Sequence, residues 1–533
     1  MRFGETMMTM AENLRHFFYL CVVASLLLST TVHAEKSMEW KDQVPEPIFD
    51  KEPGYTNLYW TAWELAHEKV RAQRNLPRSP YMDEGFWDDT IWIWDTCFMA
   101  LFCKYSPREF PGVESLNNFY VPLHGNAYEE GTYPLNIQHP DNPPLFAWVE
   151  YENFLFNGNE QHVKKLLTEQ KYLQKHFEWF NEVEPGWSFK SQAEHRKKSA
   201  PVKIRKVENG YYWGGVQSGM DNTPRKRHGL WIDAISQQAL SALYISRMAE
   251  KIGRADMAER WKTRYSELKN TINEFYWNEE DGIYYDLDPE TMEHLKVKTP
   301  ASFWPMLAEV PTPEQAERMV KHVQDPNTFG GKRPWPSVAR SDPAYTEPDG
   351  KYWRGGIWLP IAYMGTKALE KYGYYKEADE NAEKLLAQMF RTYRDYNPNT
   401  IWECYSPTRD APGKHKDGNR VVRPDFCGWS ALGPIALFIE NVLGFHVVNA
   451  VEKKIEWRLH QTARHGIRDL RFGDIVTDIV YDGKGEITIK SNAAYTLVIN
   501  GESRRISEGT TTITIDPETI PASDNVLNTG PEK

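Results

Sequence analysis

Apolar residues recur at three- and four-residue intervals through most of the chain up to about position 444. Met257, Trp261, Tyr265, Leu268, Ile272 and Phe275 mark one helical face across 257–275, and Ala378, Ala382, Leu385, Leu386 and Met389 another across 378–389. The same spacing predicts helices near 56–72, 94–103, 144–157, 160–181, 230–252, 300–309, 313–323, 353–371 and 427–442. Pro- and Gly-rich stretches separate them, notably 183–229, 325–352 and 395–426. Loops that long are uncommon in a compact domain and often carry function. Here they also hold motifs that mix aromatic with polar residues. The pattern predicts a mainly α chain, a closed ring of helical hairpins with its loops crowded at one end. No sequence repeat is evident, so any repeat is structural only.

After Asn449 the period changes from helical to alternating. Short β-branched runs at 474–481, 486–490, 495–500 and 510–515, with Asp482-Gly483 and Asn500-Gly501 as hairpin turns, predict a small C-terminal antiparallel β domain over 450–516. It concentrates no catalytic residue types, which favours a structural cap over a carbohydrate-binding module. Residues 517–533 read as a disordered tail. The long domain is expected to span 35–449.

The N-terminus changes the picture of location. Arg15 and His16 precede an apolar run over 17–28, followed by small polar residues and Val32-His33-Ala34, an A-x-A-like cleavage site. A signal peptide at 1–34 and a secreted or periplasmic protein are expected, with no membrane insertion after cleavage. The run is shorter than the roughly 20 residues that span a bilayer. Cleavage removes two arginines and two glutamates, so the formal net charge stays at −11. That speaks against nucleic acid, whose binding needs a basic face. Four cysteines then remain, Cys97, Cys103, Cys404 and Cys427, too few for a disulfide scaffold and expected as buried thiols. No CxxC or HExxH zinc pattern occurs.

Aromatic content is the informative bias, with 20 Trp, 28 Tyr and 23 Phe. Trp87, Trp213, Trp335, Trp353 and Trp402 fall outside periodic helices. Sugars offer flat C–H faces to such rings and hydroxyls to the Asp, Arg and Asn beside them. In Tyr211-Tyr212-Trp213-Gly214-Gly215-Val216-Gln217-Ser218-Gly219-Met220-Asp221-Asn222-Thr223-Pro224-Arg225, one carboxylate sits among aromatics and glycines. Desolvation there raises a carboxyl pKa and suits a general acid. An Asx-turn or helix cap is the competing reading. In Thr400-Ile401-Trp402-Glu403-Cys404-Tyr405-Ser406-Pro407-Thr408, Glu403 is again a lone carboxylate among aromatics, or else a salt-bridged surface group. Inverting glycoside hydrolysis needs such a pair, roughly 6.5–9.5 Å apart so that a water fits. Tyr352-Trp353-Arg354-Gly355-Gly356-Ile357-Trp358 offers stacking rings, a guanidinium fork and close backbone approach. Trp92-Ile93-Trp94-Asp95 places a carboxylate suited to two sugar hydroxyls, or to capping a helix from Thr96.

These segments, with Asn142-Pro143-Pro144-Leu145, resemble the six-hairpin glycosidases, above all the branch holding glycoside hydrolase family 63 and the mannosylglycerate hydrolases, and more distantly the trehalases. The resemblance covers roughly 55–445, and Ser218-Gly219-Met220-Asp221 is its most specific part. It implies an (α/α)6 toroid and an inverting glycoside hydrolase acting on an α-linked oligosaccharide or glycoside, with Asp221 as acid and Glu403 as base. Trp94, Asp95, Trp353 and Arg354 match sugar-subsite positions, and Asn142, Trp213, Gln217, Asn222, Arg225, Trp358, Trp402 and Tyr405 complete the expected substrate contacts. The mechanism implies no cofactor and no metal. Departures occur at Gln217, where Glu is frequent, at Asn142 for Gln, and at Gly356 for Pro. They bear on substrate identity. Two other classes compete: a lyase on a helical toroid, which would want a Tyr/His or Arg pair for proton abstraction, and a silent sugar-binding protein.

A further expectation comes from local charge. Arg196, Lys197, Lys198, Lys203, Arg205 and Lys206 precede the acid motif, and Arg225, Lys226 and Arg227 end or follow it. If that loop covers the cleft, it favours an anionic or polar leaving group.

Overall fold

The helices of the ring fall into two kinds that alternate along the chain. In the computed structural model, which describes residues 40–521, they are Gly54–Glu68 (α1), Ile93–Cys103 (α2), Asn117–His124 (α3), Phe146–Asn157 (α4), Tyr172–Glu182 (α5), Ile232–Lys251 (α6), Ala255–Thr271 (α7), Trp304–Leu307 (α8), Pro313–Gln324 (α9), Leu359–Lys371 (α10), Tyr375–Asp395 (α11) and Gly433–Val442 (α12). The signal-peptide expectation at 1–34 and most of the expected tail lie outside the described residues.

The even-numbered helices are buried on nearly every side. All eleven residues of α2 and all ten of α12 are buried. Such helices need neighbours all round. They find them in one another: α2 packs on α4, α4 on α6, α6 on α8, α8 on α10, α10 on α12, and α12 on α2. The odd-numbered helices form the outer ring. In α9 the buried residues are Ala316, Met319, Val320 and Val323, one stripe at helical spacing, and a Thr312–Gln315 capping box starts the helix. The result is an (α/α)6 toroid. Among the described residues no helix is long and apolar enough to cross a membrane.

Two helix expectations shift. The helix expected from 353 begins at Leu359, because Trp353–Trp358 is held as a loop by Gly355 at φ 142° and by Ile357 bridging both Pro336 and Tyr405. Helix α3 lacked a signal because Pro122 interrupts its short pattern.

The C-terminal region forms two sheets. Glu46–Phe49 (β1), His465–Phe472 (β4), Ile475–Tyr481 (β5), Glu486–Ser491 (β6) and Gly509–Thr514 (β9) stand in the order β1-β4-β5-β6-β9, all antiparallel. Val447–Asn449 (β2), Lys454–Trp457 (β3), Tyr495–Ile499 (β7) and Glu502–Ile506 (β8) form the second sheet, in which β3 and β7 pair in parallel. The β region thus starts at Val447 and recruits a strand from before α1. Regular structure continues past 516: Pro517–Thr519 is a 3-10 turn capped by Asp516, and Ile520 is buried.

The motif loops all lead into the N-terminal ends of inner helices: Trp94-Asp95 opens α2, Asn142 precedes α4, Asp221 precedes α6, Trp353–Trp358 precedes α10, and Glu403 lies on the path to α12. Prolines in the first turns of α8, α10 and α12 suit that end of a helix.

Candidate active site

Asp221 stands at the end of a loop that only glycines can follow. Gly219 has φ 81°, and a Cβ on it would lie 2.8 Å from the Trp94 indole. The acid loop therefore rests directly on Trp94. Gly214, at φ 143°, is pressed in the same way against Trp231. Asn222 then clamps the loop to its neighbour. Its Nδ2 donates to the Lys351 carbonyl and its Oδ1 accepts from the Trp353 N–H, both at 2.9 Å.

Glu403 is held from the opposite side. Its side chain is buried, Oε1 accepts from the Tyr352 hydroxyl at 2.6 Å, and Oε2 accepts from the Arg423 N–H at 3.3 Å. The Trp429 indole N–H donates to the Glu403 carbonyl at 2.8 Å, and the Ser430 hydroxyl to the Trp402 carbonyl at 2.7 Å. Lys351 and Tyr352 adopt left-handed backbone conformations, φ 30° and 71°, a strain that clusters at ligand sites.

The Glu403 charge acts on Asp221. Burial pushes the Asp221 carboxyl up to about 6; Lys416 opposes the shift, the Glu403 charge adds to it, and Arg423 pulls against it. Asp221 still keeps 27 % of its side chain exposed, and Lys416 Nζ lies 3.4 Å from its Oδ2. On the Trp94 side, burial pushes Asp95 well up, with Glu84, Asp83 and Glu403 contributing. Asp83 and Glu84 are themselves raised to about 7, chiefly by burial. Glu84 is tied to Lys69 at 3.2 Å and accepts from the Gly428 N–H.

Several expected contacts keep buried polar atoms without a protein partner: Trp94 Nε1, Asp95 Oδ1, Asn142 Oδ1, Gln217 Oε1 and Trp402 Nε1. Buried polar groups are normally paired, and a polyhydroxylated ligand offers both donors and acceptors. Asp95 is not a cap, since α2 begins at Ile93. Asn142 and Gln217 act on one another, Asn142 Nδ2 donating to the Gln217 carbonyl at 2.9 Å.

Other expected contacts need correction. Arg225 faces no ligand: its side chain is buried, it forks to Asp233 at 2.8 and 2.9 Å and to Asp286, and it stacks on Trp231. It is a structural tie under the acid loop. Asn222 spends both polar atoms on the clamp. Trp353 and Trp358 stack on each other at 4.0 Å and 7°, closing those faces to a sugar. Tyr405 is buried, its hydroxyl accepting from the Trp402 N–H at 3.2 Å. Arg354 is exposed. Trp335 is core, packed on Phe303 and Phe329.

Outside Asp221 lies a cavity of about 500 Å³ whose lining includes Lys203, Arg205, Tyr212, Trp213, Arg227 and His228. Of the basic cluster expected there, Arg196 instead stacks on Trp87 at 4.0 Å, and Lys226 pairs with Asp288. Tyr352 and Lys416 were not foreseen as site residues. Tyr352 stands inside a quoted motif, but no local pattern tells that its hydroxyl reaches Glu403. Among the described residues no group of three or more His, Cys, Asp or Glu could hold a metal ion. The four described cysteines are free and buried.

Residues 139–419 match the model of the mannosylglycerate hydrolase MGH1-like glycoside hydrolase domain. The chain belongs to this glycoside hydrolase family. It is 27 % identical over 461 residues to an uncharacterized protein of Borreliella burgdorferi, covering 83 % of this chain and 90 % of that one. It is 24 % identical over 449 residues to a mannosyl-oligosaccharide glucosidase of Arabidopsis thaliana, covering 70 % of this chain and 49 % of the other, so it spans about half of that relative. The solved family 63 mannosylglycerate hydrolase of Thermus thermophilus in complex with glucose superposes with a TM-score of 0.52 at 17 % identity, covering 72 % of this chain and 99 % of that one. That likeness is one of fold, the six-hairpin toroid.

Proposed function

We propose that the protein is an inverting, exo-acting glycosidase for α-linked glycosides, with Asp221 as general acid and Glu403 as general base. The observation that carries this reading is the contrast between the two carboxyls of the site. Burial lifts Asp221 to about 6, so its affinity for a proton lies well above that of an ordinary carboxylate, while Glu403 is fixed as an acceptor on both oxygens. Asp221 gives its proton to the glycosidic oxygen as the bond to the anomeric carbon breaks. Glu403 takes a proton from a water whose oxygen bonds that carbon from the other face. Asp221 ends as a carboxylate and Glu403 as an acid. The buried, unpaired polar atoms of Trp94, Asp95 and Trp402 suit a single terminal sugar in a closed subsite. A Tyr/His pair stands beside the base, Tyr352 and His415 with ring centroids 5.4 Å apart, but the Tyr352 hydroxyl donates to Glu403 and His415 is bonded to Arg420, an arrangement that disfavours proton abstraction by the pair and with it the lyase reading.

The leaving-group side is read as specific for an anionic or strongly polar aglycone. Support comes from Lys203, Arg205 and Arg227 around the cavity beside Asp221, and from a family named for a substrate whose aglycone is glycerate. Residues 1–34 are read as an export signal, which N-terminal sequencing of exported protein tests. Screening α-linked mannosides and glucosides with charged and neutral aglycones tests the whole reading. A released reducing sugar is expected, with KM for the charged substrate rising with salt as the Debye length falls below about 10 Å, and KM for the neutral one flat. Products carrying a new double bond would refute it. Identical salt profiles would remove the anionic aglycone alone.

A further inference from the structure

The acid loop is met by a hairpin that no sequence motif points to. Lys414 and Val421 pair across it, and His415, Asp417 and Arg420 bond among themselves at its tip, Arg420 Nε reaching Asp417 at 2.6 Å. Lys416 takes no part in that internal bonding. It extends over the Tyr352 ring, 5.6 Å from its centroid, to reach Asp221 Oδ2 at 3.4 Å, and 45 % of its side chain stays exposed.

This contact opposes the work of an acid. An ammonium at that distance favours the carboxylate, whereas the reaction needs the carboxylic acid. Glu403 raises the proton affinity of Asp221, Arg423 lowers it, and Lys203, Arg205, Arg227 and His228 line the cavity on its outer side. Lys416 differs from the other cations in reaching the acid itself: its only carboxylate partner among the described residues is Asp221, and its stem is long and flexible.

We propose that Lys416 is an exchangeable counter-ion of the acid: it pairs with Asp221 in the free enzyme and turns to the carboxylate of an incoming leaving group, so that Asp221 takes up one proton from solvent. The exchange rests on the anionic-aglycone reading above. The proton balance closes over a turnover. The proton taken up on binding is the one delivered to the glycosidic oxygen, and Lys416 returns to the Asp221 carboxylate when the aglycone departs. Lys416 acts through Asp221 and is a positioning residue.

The test uses Lys416→Met and Lys416→Arg in the whole enzyme. The first readout is the pH profile of kcat/KM on a neutral alkyl α-glycoside, whose leaving alcohol needs the proton. Activity falls as pH rises through the Asp221 pKa. Removing the ammonium raises that pKa, so the alkaline limb of Lys416→Met is expected to move up by about one pH unit, the size of a unit charge at this distance under near-bulk screening. Lys416→Arg is expected to stay near the wild-type limb. An unmoved limb in Lys416→Met overturns the pairing. The second readout is calorimetric proton uptake near pH 7 on binding lactate or its uncharged amide, in buffers of different ionisation enthalpy. Wild type is expected to take up a substantial fraction of one proton with lactate and none with lactamide, and Lys416→Met much less. Equal uptake by Lys416→Met overturns the exchange. A moved limb without any lactate binding, together with equal salt profiles for charged and neutral substrates, removes the anionic-aglycone reading and the exchange, and leaves the pairing intact.

Discussion

Tyr352→Phe isolates one contact of Glu403, the proposed base. The ring stays, so its edge contact with Trp358 at 4.5 Å is kept. Only the hydroxyl that donates to Glu403 Oε1 at 2.6 Å is lost. A hydrogen bond to a charged group contributes roughly 1.5–3 kcal/mol. Glu403 is buried, so water does not readily replace the donor. At about 1.4 kcal/mol per factor of ten, full loss in the transition state lowers kcat by roughly 10- to 150-fold. KM should move little, because the hydroxyl faces the base and not the expected sugar contacts. Steady-state kinetics on any good substrate, with circular dichroism and thermal melting to verify the fold, measure this. A kcat within threefold of wild type in a well-folded variant would refute the claim that Tyr352 orients the base.

Asp221→Asn and Glu403→Gln should each cost on the order of 10²–10⁴ in kcat; either variant retaining half of wild-type turnover would remove that residue from the mechanism. Asp221→Asn should also be more stable than wild type at neutral pH. The folded carboxyl sits at about 6 against an ordinary 3.8, so wild-type stability falls as pH rises from about 4 to 6 and stays lowered above. The gain is at most about 3 kcal/mol from 1.36 kcal/mol per pKa unit, less for partial exposure, and denaturant melts at pH 4 and pH 8 should differ accordingly. Arg225→Met leaves Asp233 and Asp286 buried without their cation and should cost about 3–5 kcal/mol of stability; a substrate-contact role would instead show as raised KM in a protein of wild-type stability.

The ring was legible because inner and outer helices differ in pattern: α9 shows one apolar stripe while α2 is apolar over most of its length and buried throughout. The β region was legible at its hairpins, Asp482-Gly483 and Asn500-Gly501. Its parallel β3–β7 pair and the capture of Glu46–Phe49 were not, since both join segments with no local turn between them. Within the site, glycine and aromatic context marked the loops of Asp221 and Glu403. The same context misled at Arg225, because a guanidinium beside a motif looks alike in sequence whether it meets a ligand or two buried carboxylates. Tyr352 to Glu403 and Lys416 to Asp221 are long-range pairings that only the assembled ring creates.

The proposed reaction is a single displacement by water between Asp221 and Glu403, and it inverts the anomeric carbon. Proton NMR during the first minutes of hydrolysis of an α-linked substrate, before mutarotation, reads that outcome. The β-anomer of the released sugar is expected first; initial accumulation of the α-anomer would rule out the single displacement.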